Sequence, residues 1–484
     1  SATYTLLQAA GGSTLNNATY TLGYVYNNTN FTVATPTATA TALTTVVTTA
    51  SPLTTAYWRG GLSGATTTWS ASNGSTASNW SSISPAGAAQ ALVPGIGTDV
   101  YLGVSPAGND AWNSYLGADM SIKSLTITTN TNNSLNLYAD GYSLTIGSGG
   151  INIISAPDQQ RITINTDIKL AAAQTWTINS PFVSPPNYGR NFLDINGNVD
   201  NQGNLLTINT VLASNAQNTP TINGIISGSG GLTKNGVYQM YLSGPNTYSG
   251  PTTINGGSIN IGGQGGSIAS SSGISITPGT YLQVVNSGAN ESYVDRVSNS
   301  APITTYGGQL YFNNATASNV HYSETIGTVA STSGQSDIVL QSNASAANNS
   351  QTLILSGLTQ SGTSVVTFSA IANPDVYQTP TGLNTTTNII KVTGATQTPA
   401  GQIIGPWATA GRANSQQKDY AVYDASGNIV GANIANSAET TWTSASNAYT
   451  MAATNYANGT NVNDSITVTL TGTRTITALR NFGQ

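Results

Sequence analysis

The sequence predicts an all-β solenoid in which short strands stack coil upon coil. Three observations lead there. Apolar and polar residues alternate with period two along most of the chain, Gly and Asn-Gly punctuate the alternating runs, and no stretch has the 3.6-residue period of an amphipathic helix. Of 484 residues, 38% are hydrophobic and only 6% are charged. An ordinary soluble protein carries about 25% charged residues, so disorder driven by charge repulsion is excluded. The apolar fraction suffices, at this length, for a continuous core.

In chain order, residues 1–56 read as an N-terminal β-strand segment, with ATYTLGYVY at 18–26 and ATATALTTVVTT closing it. Residues 57–110 form a connecting segment rich in Trp and Gly. Residues 111–400 carry the solenoid pattern in KSLTITT (123–129), SLNLYADGYSLTIGSG (134–149) and RITINTDIKL (161–170). The pattern is densest from Thr221 to Ile261, with apolar centres at Ile225, Leu232, Tyr241, Tyr248, Ile254 and Ile259. A coil of short strands needs roughly 20–30 residues. Ile222 and Leu242 stand one such interval apart, as do Ile254 and Ile274. Glycines are expected at corners that need φ > 0, with Ile, Leu and Val stacked inward and Thr, Ser and Asn outside. Residues 401–484 read as a β-rich segment with an open end. Residues 1–50 look like the closing strands of a module and 464–484 like an opening one. Open coil edges recruit other chains, so head-to-tail docking of copies is expected.

GIISGSGGLTKNG (224–236) and YLSGPNTYSGPTTINGGSINIG (241–262) closely resemble the autotransporter-associated β-strand repeat (PATR-type). That family's pattern is Gly-Ser-Gly-Gly-Leu-Thr-Lys, then Leu-Ser-Gly-x-Asn-Thr-Tyr-Ser-Gly-x-Thr-x-Ile. Other stretches look like the flanking parts of large bacterial surface proteins that carry this repeat. They are residues 57–80, LAAAQTWTI (170–178), SETIGTV (323–329) and residues 403–427. The resemblance implies a right-handed parallel β-helix, secreted or exposed on a cell surface. It departs from the family at the C-terminus. A translocator barrel needs many strands of roughly 10 residues with aromatic girdles, and the chain ends LRNFGQ, so that secretion route is not expected.

Composition narrows the partners. The net charge is −5 and no basic stripe exists, which argues against nucleic acid. No run approaches the roughly 18 apolar residues of a membrane span, so no transmembrane helix is expected. Cysteine is absent and histidine occurs once, which excludes disulfides and His/Cys metal sites. No cofactor is expected. So few charges leave little repulsion between copies.

Trp58, Trp69 and Trp80 fall at equal intervals. They could stack on sugar rings, but large aromatics in such a stripe more often pack, and the sequence favours packing. His321 with Glu324 is an acid–base candidate, weighed against a surface histidine. DINGNVDNQGN (194–204) has the acidic content of a calcium loop but lacks its position-six Gly and closing Glu. The closest acidic pairs, Glu291 with Asp295 and Asp419 with Asp424, have few basic neighbours, so glycan cleavage is not expected. The triplets NFT (30–32) and NWS (79–81) are weak glycosylation marks. The expectation is a non-enzymatic extracellular structural protein that assembles with itself into a filament, fibre or surface layer. The alternative is a monomeric rod-like adhesin that binds surface glycans through the three tryptophans.

Overall fold

The computed structural model describes residues 1–103, 113–129, 135–155, 161–179, 192–211, 219–286, 295–314, 321–343, 349–373, 383, 386–398, 403–412 and 418–431. It also describes the strands Thr443–Ser444, Asn461–Asp464 and Ala478–Asn481. The chain is all-β, with stacked parallel strands forming a solenoid. Among the described residues the sole helical element is a single 3-10 turn, Leu15–Asn17. No helix among them is long and apolar enough to cross a membrane. Two compact units divide it, Ser1–Gly250 and Pro251–Gln484. The boundary falls inside the span 111–400 that the sequence reads as one helix.

The first unit opens with an antiparallel sheet. Ala42–Thr49 lies at its centre, flanked by Ala2–Gln8 on one side and by Phe31–Val33 and Thr37–Ala38 on the other. Parallel pairing begins with Leu53–Trp58 on Pro94–Leu102, which pairs in turn with Met120–Thr129. The parallel ladder therefore starts ahead of residue 111, because strands of the Trp/Gly-rich segment join the first coil.

From there three columns of inward side chains run through successive coils. One is Leu144, Ile168, Val199 and Ile226. A second is Leu125, Ile151, Trp176, Ile208 and Lys234. The third is Leu137, Ile164, Ile195, Ile222 and Leu242. All are buried. Burying one such aliphatic side chain contributes roughly 1.5–3 kcal/mol, and because i and i+2 share a face the alternation alone fills the columns. Ile222 does pair with Leu242, as their spacing predicts. Within the dense stretch, however, the inward residues are Ile226 and Leu242, while Ile225 and Tyr241 face outward by one position.

Glycine serves turns by the expected left-handed geometry, as at Gly203, Gly228 and Gly236, and serves one corner column by a second route. Gly197, Gly224 and Gly244 do not have positive φ. Each lies flat against the coil below: a Cβ on Gly197 would overlap the Thr166 carbonyl oxygen, one on Gly224 that of Gly197, and one on Gly244 that of Gly224. Close backbone approach, rather than left-handed geometry, requires glycine there. Beside this column the corner asparagines form a ladder. Asn196 Nδ2 donates to Asn165 Oδ1, and Asn223 Nδ2 to Asn196 Oδ1, both at 2.8 Å.

The second unit repeats the scheme. Ile259, Leu282, Leu310, Ile338, Phe368 and Ala410 form one column. Ile254, Ile276 and Thr305 form another. Ile254 thus pairs with Ile276, slightly beyond Ile274, the position its spacing suggests. The parallel sheet ends at Ala408–Arg412, against which Lys418–Tyr423 and then Ile429–Gly431 turn antiparallel. An antiparallel turn-back, not a bare coil edge, therefore terminates this sheet among the described residues. Thr443–Ser444, Asn461–Asp464 and Ala478–Asn481 pair in parallel with one another.

Candidate functional site

One exposed surface of the first unit is an edge strand that carries grouped apolar side chains. Ala2–Gln8 pairs with Ala42–Thr49 along one side only, with a bulge between Thr5 and Leu7. Every residue of it is exposed. Tyr4, Leu6 and Leu7 are 53%, 50% and 46% exposed, and Val46 of the neighbouring strand is 39% exposed. No Lys, Arg, Asp, Glu or His precedes Arg59 in the chain. Free strand edges template pairing with another chain, and proteins that avoid this place charges or Pro there. This edge has neither.

The three tryptophans converge, but inward. Trp58, Trp69 and Trp80 are at most 2% exposed. Trp80 meets Trp58 and Trp69 edge-on, with ring centroids 4.9 and 5.2 Å apart. Trp80 Nε1 donates to the Trp69 carbonyl (2.7 Å) and Trp69 Nε1 to Ser114 Oγ (3.0 Å). Their faces are closed to any sugar, so glycan stacking on these rings is corrected to packing. They line the first coil, where Trp69 and Ser70 donate backbone hydrogen bonds to Tyr115 and Leu116. Both quoted glycosylation triplets are likewise closed. Asn79 is buried, with Nδ2 on the Ala65 and Thr68 carbonyls. Asn30 is buried, and its Oδ1 accepts from Val93 N.

The remaining candidates do not assemble. His321 is exposed and bonded to Ser350 Oγ at 2.7 Å, whereas Glu324 is buried on the opposite face of the same strand. In the 194–204 stretch, Asp194 pairs with Arg161, and Asp200 Oδ1 accepts from Gln202 N. Asn201 Oδ1 accepts from Gly203 N and Gly230 N. Those oxygens serve the coil. No group of three or more His, Cys, Asp or Glu that could hold a metal exists among the described residues. Asp424 is buried and caps its own turn, accepting from Ser426 N and Asn428 N. Asp295 is exposed and accepts from Asn299 Nδ2. Glu291 and the Asp419 side chain lie outside the described residues.

The repeat motif is architectural. In its first half, Gly230 sits against the Asn204 backbone and Leu232 fills a column. Lys234 is fully buried, with Nζ donating to Thr210 Oγ1 (2.8 Å) and the Asn235 carbonyl (2.7 Å). Burial pulls its pKa down to about 8. In the second half, Asn246 is buried and replaces a missing ladder partner. Its Oδ1 accepts from Ile226 N (2.8 Å), and Thr247 N and Tyr248 N donate to the Ile226 carbonyl. The LAAAQTWTI stretch works similarly: Gln174 bridges Trp176 Nε1 to the Ile146 carbonyl.

Sequence reasoning missed one cluster, in the second unit. Arg296 is fully buried, with Nε on Asn286 Oδ1 and Nη1 and Nη2 on the Gly266 and Gly263 carbonyls, all at 2.7 Å. Glu324 Oε1 accepts from Arg296 N and Val297 N, while Oε2 is buried without a hydrogen-bond partner. Desolvation pushes this carboxyl up to about 8 against the pull of those two N–H groups. The alternation of HYSETIG, which sets Glu324 on the Tyr322 face, was the available signal.

No family model matches the chain, and no solved structure matches it. The chain is similar to the adhesin BmaC autotransporter of Brucella suis biovar 1 (strain 1330), with 31% identity over 133 residues. The aligned region is 27% of this chain and 4% of that protein, so the match spans a small fraction of the relative's length. The stacked parallel strands together with this likeness fit an autotransporter-type β-helix chain.

Proposed function

We propose that the chain is a non-enzymatic, extracellular structural protein of adhesin type, built on PATR-type repeats. Its copies join head to tail by strand addition at Ala2–Gln8, giving a filament, fibre or surface layer. The observation that carries this reading is the edge strand itself: exposed on both faces, apolar, and set in a segment that carries no charged side chain ahead of Arg59. A second chain laid along it would satisfy its free N–H and C=O groups and cover Tyr4, Leu6 and Leu7. The extracellular and adhesin parts are supported by the name of the similar protein and by the repeat motif. The non-enzymatic part is supported by the dispersal of the described acidic residues.

The test is electron microscopy of the full chain beside a Leu6→Lys/Leu7→Lys variant, with melting curves for both. Filaments of the parent protein and single particles of an equally stable variant are expected. Filaments from the variant would remove the edge strand from the assembly. Single particles of the parent would remove the polymer and leave a monomeric adhesin.

A further inference from the structure

The burial of the tryptophans leaves other aromatics on the surface of the first unit, and these are grouped. Tyr115 and Tyr138 occupy neighbouring coils, joined by the Tyr138 N to Ser114 O bond, and their rings stack with centroids 5.2 Å apart. Tyr24 and Tyr26 meet edge to face at 5.8 Å. Tyr26 comes from a short strand, Val25–Tyr26, paired with Ala71–Ser72. Its ring lies over Gly117, close in sequence to Tyr115, where a Cβ would crowd it. Asp140 ties the next turn to the same place, with Oδ2 accepting from Gly117 N at 2.6 Å and Oδ1 from Tyr142 N at 3.4 Å. Tyr24, Tyr142 and Asp140 all act on the Tyr26 phenol and raise its pKa, a hydrogen bond with Tyr24 most strongly. Tyr24, Tyr26, Tyr115 and Tyr142 are 41%, 52%, 39% and 43% exposed.

We infer that this tyrosine surface, Tyr24, Tyr26, Tyr115, Tyr138 and Tyr142 around Asp140, is a binding site for a neutral polysaccharide. Phenol rings offer rigid, flat faces at low entropic cost, with a polar tip at one end. The C–H face of a pyranose matches the rings, and its hydroxyls match the phenols, the Asp140 carboxylate and Asn113. Asn113 Oδ1 already accepts from Asn136 Nδ2 (3.1 Å) and the Tyr138 hydroxyl (3.3 Å), which holds the tyrosine in place. The lining residues named include a carboxylate and no cation, which selects against anionic glycans. The inference is independent of assembly at Ala2–Gln8.

The test is fluorescence anisotropy of labelled laminarin, mannan and xylan titrated with the full chain, at neutral pH. At least one is expected to bind saturably. A Tyr115→Ala/Tyr138→Ala variant should weaken binding about tenfold, the loss of two stacking contacts. Tyr115→Phe/Tyr138→Phe should retain most of it, because the ring faces remain. Melting curves check that both variants fold. No binding of any of the three polysaccharides by the parent chain would overturn the proposal. So would unchanged binding by a folded alanine variant.

Discussion

The N-terminal antiparallel sheet and the coils between Asn113 and Gly250 are written in the same vocabulary and end up differently. Both are alternating runs of Thr, Leu, Val, Ile and Asn. Yet Ala2–Gln8 is exposed at every position, whereas Leu206–Val211 alternates between buried and half-buried up to its last residue. Alternation settles that a segment is a strand and which side chains share a face. Burial is decided by what stacks above and below. The coils have neighbours on both sides and a closed interior, while Ala2–Gln8 has one partner strand among the described residues and is exposed at every position.

The sharpest way to break this contrast is a charge in each region. Ile195 is fully buried between Ile164 and Ile222. Ile195→Asp leaves an unpaired carboxylate in an apolar column, and the first unit is expected to lose its cooperative melt and its β-sheet circular dichroism.

Glycines give the next largest effect. Gly230→Ala would drive a Cβ into the Asn204 backbone. A destabilisation of about 1–3 kcal/mol is expected from overpacking, read from denaturant unfolding. Gly23→Ala, in the N-terminal segment, meets nothing within 4 Å and should show no such loss.

The third effect is a pH slope that arises in the second unit and that no carboxylate of the N-terminal sheet supplies. Glu324 titrates near its ordinary 4.5 in the unfolded chain and near 8 when folded, because burial outweighs its hydrogen bonds, with Asp295 raising it and Arg296 lowering it. Its protonated form is the one the fold prefers. The stability it contributes is fully present below the unfolded value and is lost as pH rises through 8. The melting temperature should fall from about pH 5 to pH 9, and Glu324→Gln should flatten that slope. The smallest effect is Leu6→Lys, expected to change stability by no more than about 0.5 kcal/mol while altering association.

Much of the fold was legible because solenoids are local. Asn196-Gly197 and Asn223-Gly224 mark corners in the sequence and are corners in the molecule. The spacing of Ile222 and Leu242 matched a true register. Two things were not legible. The phase of a strand slips by one where a corner intervenes, as at Ile225 and Ile226, because glycine corners can swallow or add a residue. The partners of long side chains depend on which coils they meet. Equal spacing brings Trp58, Trp69 and Trp80 together, and nothing in the spacing says whether they meet inside or outside. Likewise Tyr115 and Tyr138 are well separated in the chain and become neighbours only through the coil between them.

The glycine column at the corner has an evolutionary consequence. Gly197 rests on the Thr166 backbone, Gly224 on that of Gly197 and Gly244 on that of Gly224, so each coil offers the next the same bare backbone to sit upon. A coil bounded by such corners can be copied or deleted whole, by unequal exchange in the gene, with the corner's backbone contact re-formed at the new seam. A one-residue insertion inside a strand has no such remedy, since it turns that strand's side chains to the opposite faces up to the next corner. Length is then a cheap variable for this protein and sequence within a coil an expensive one.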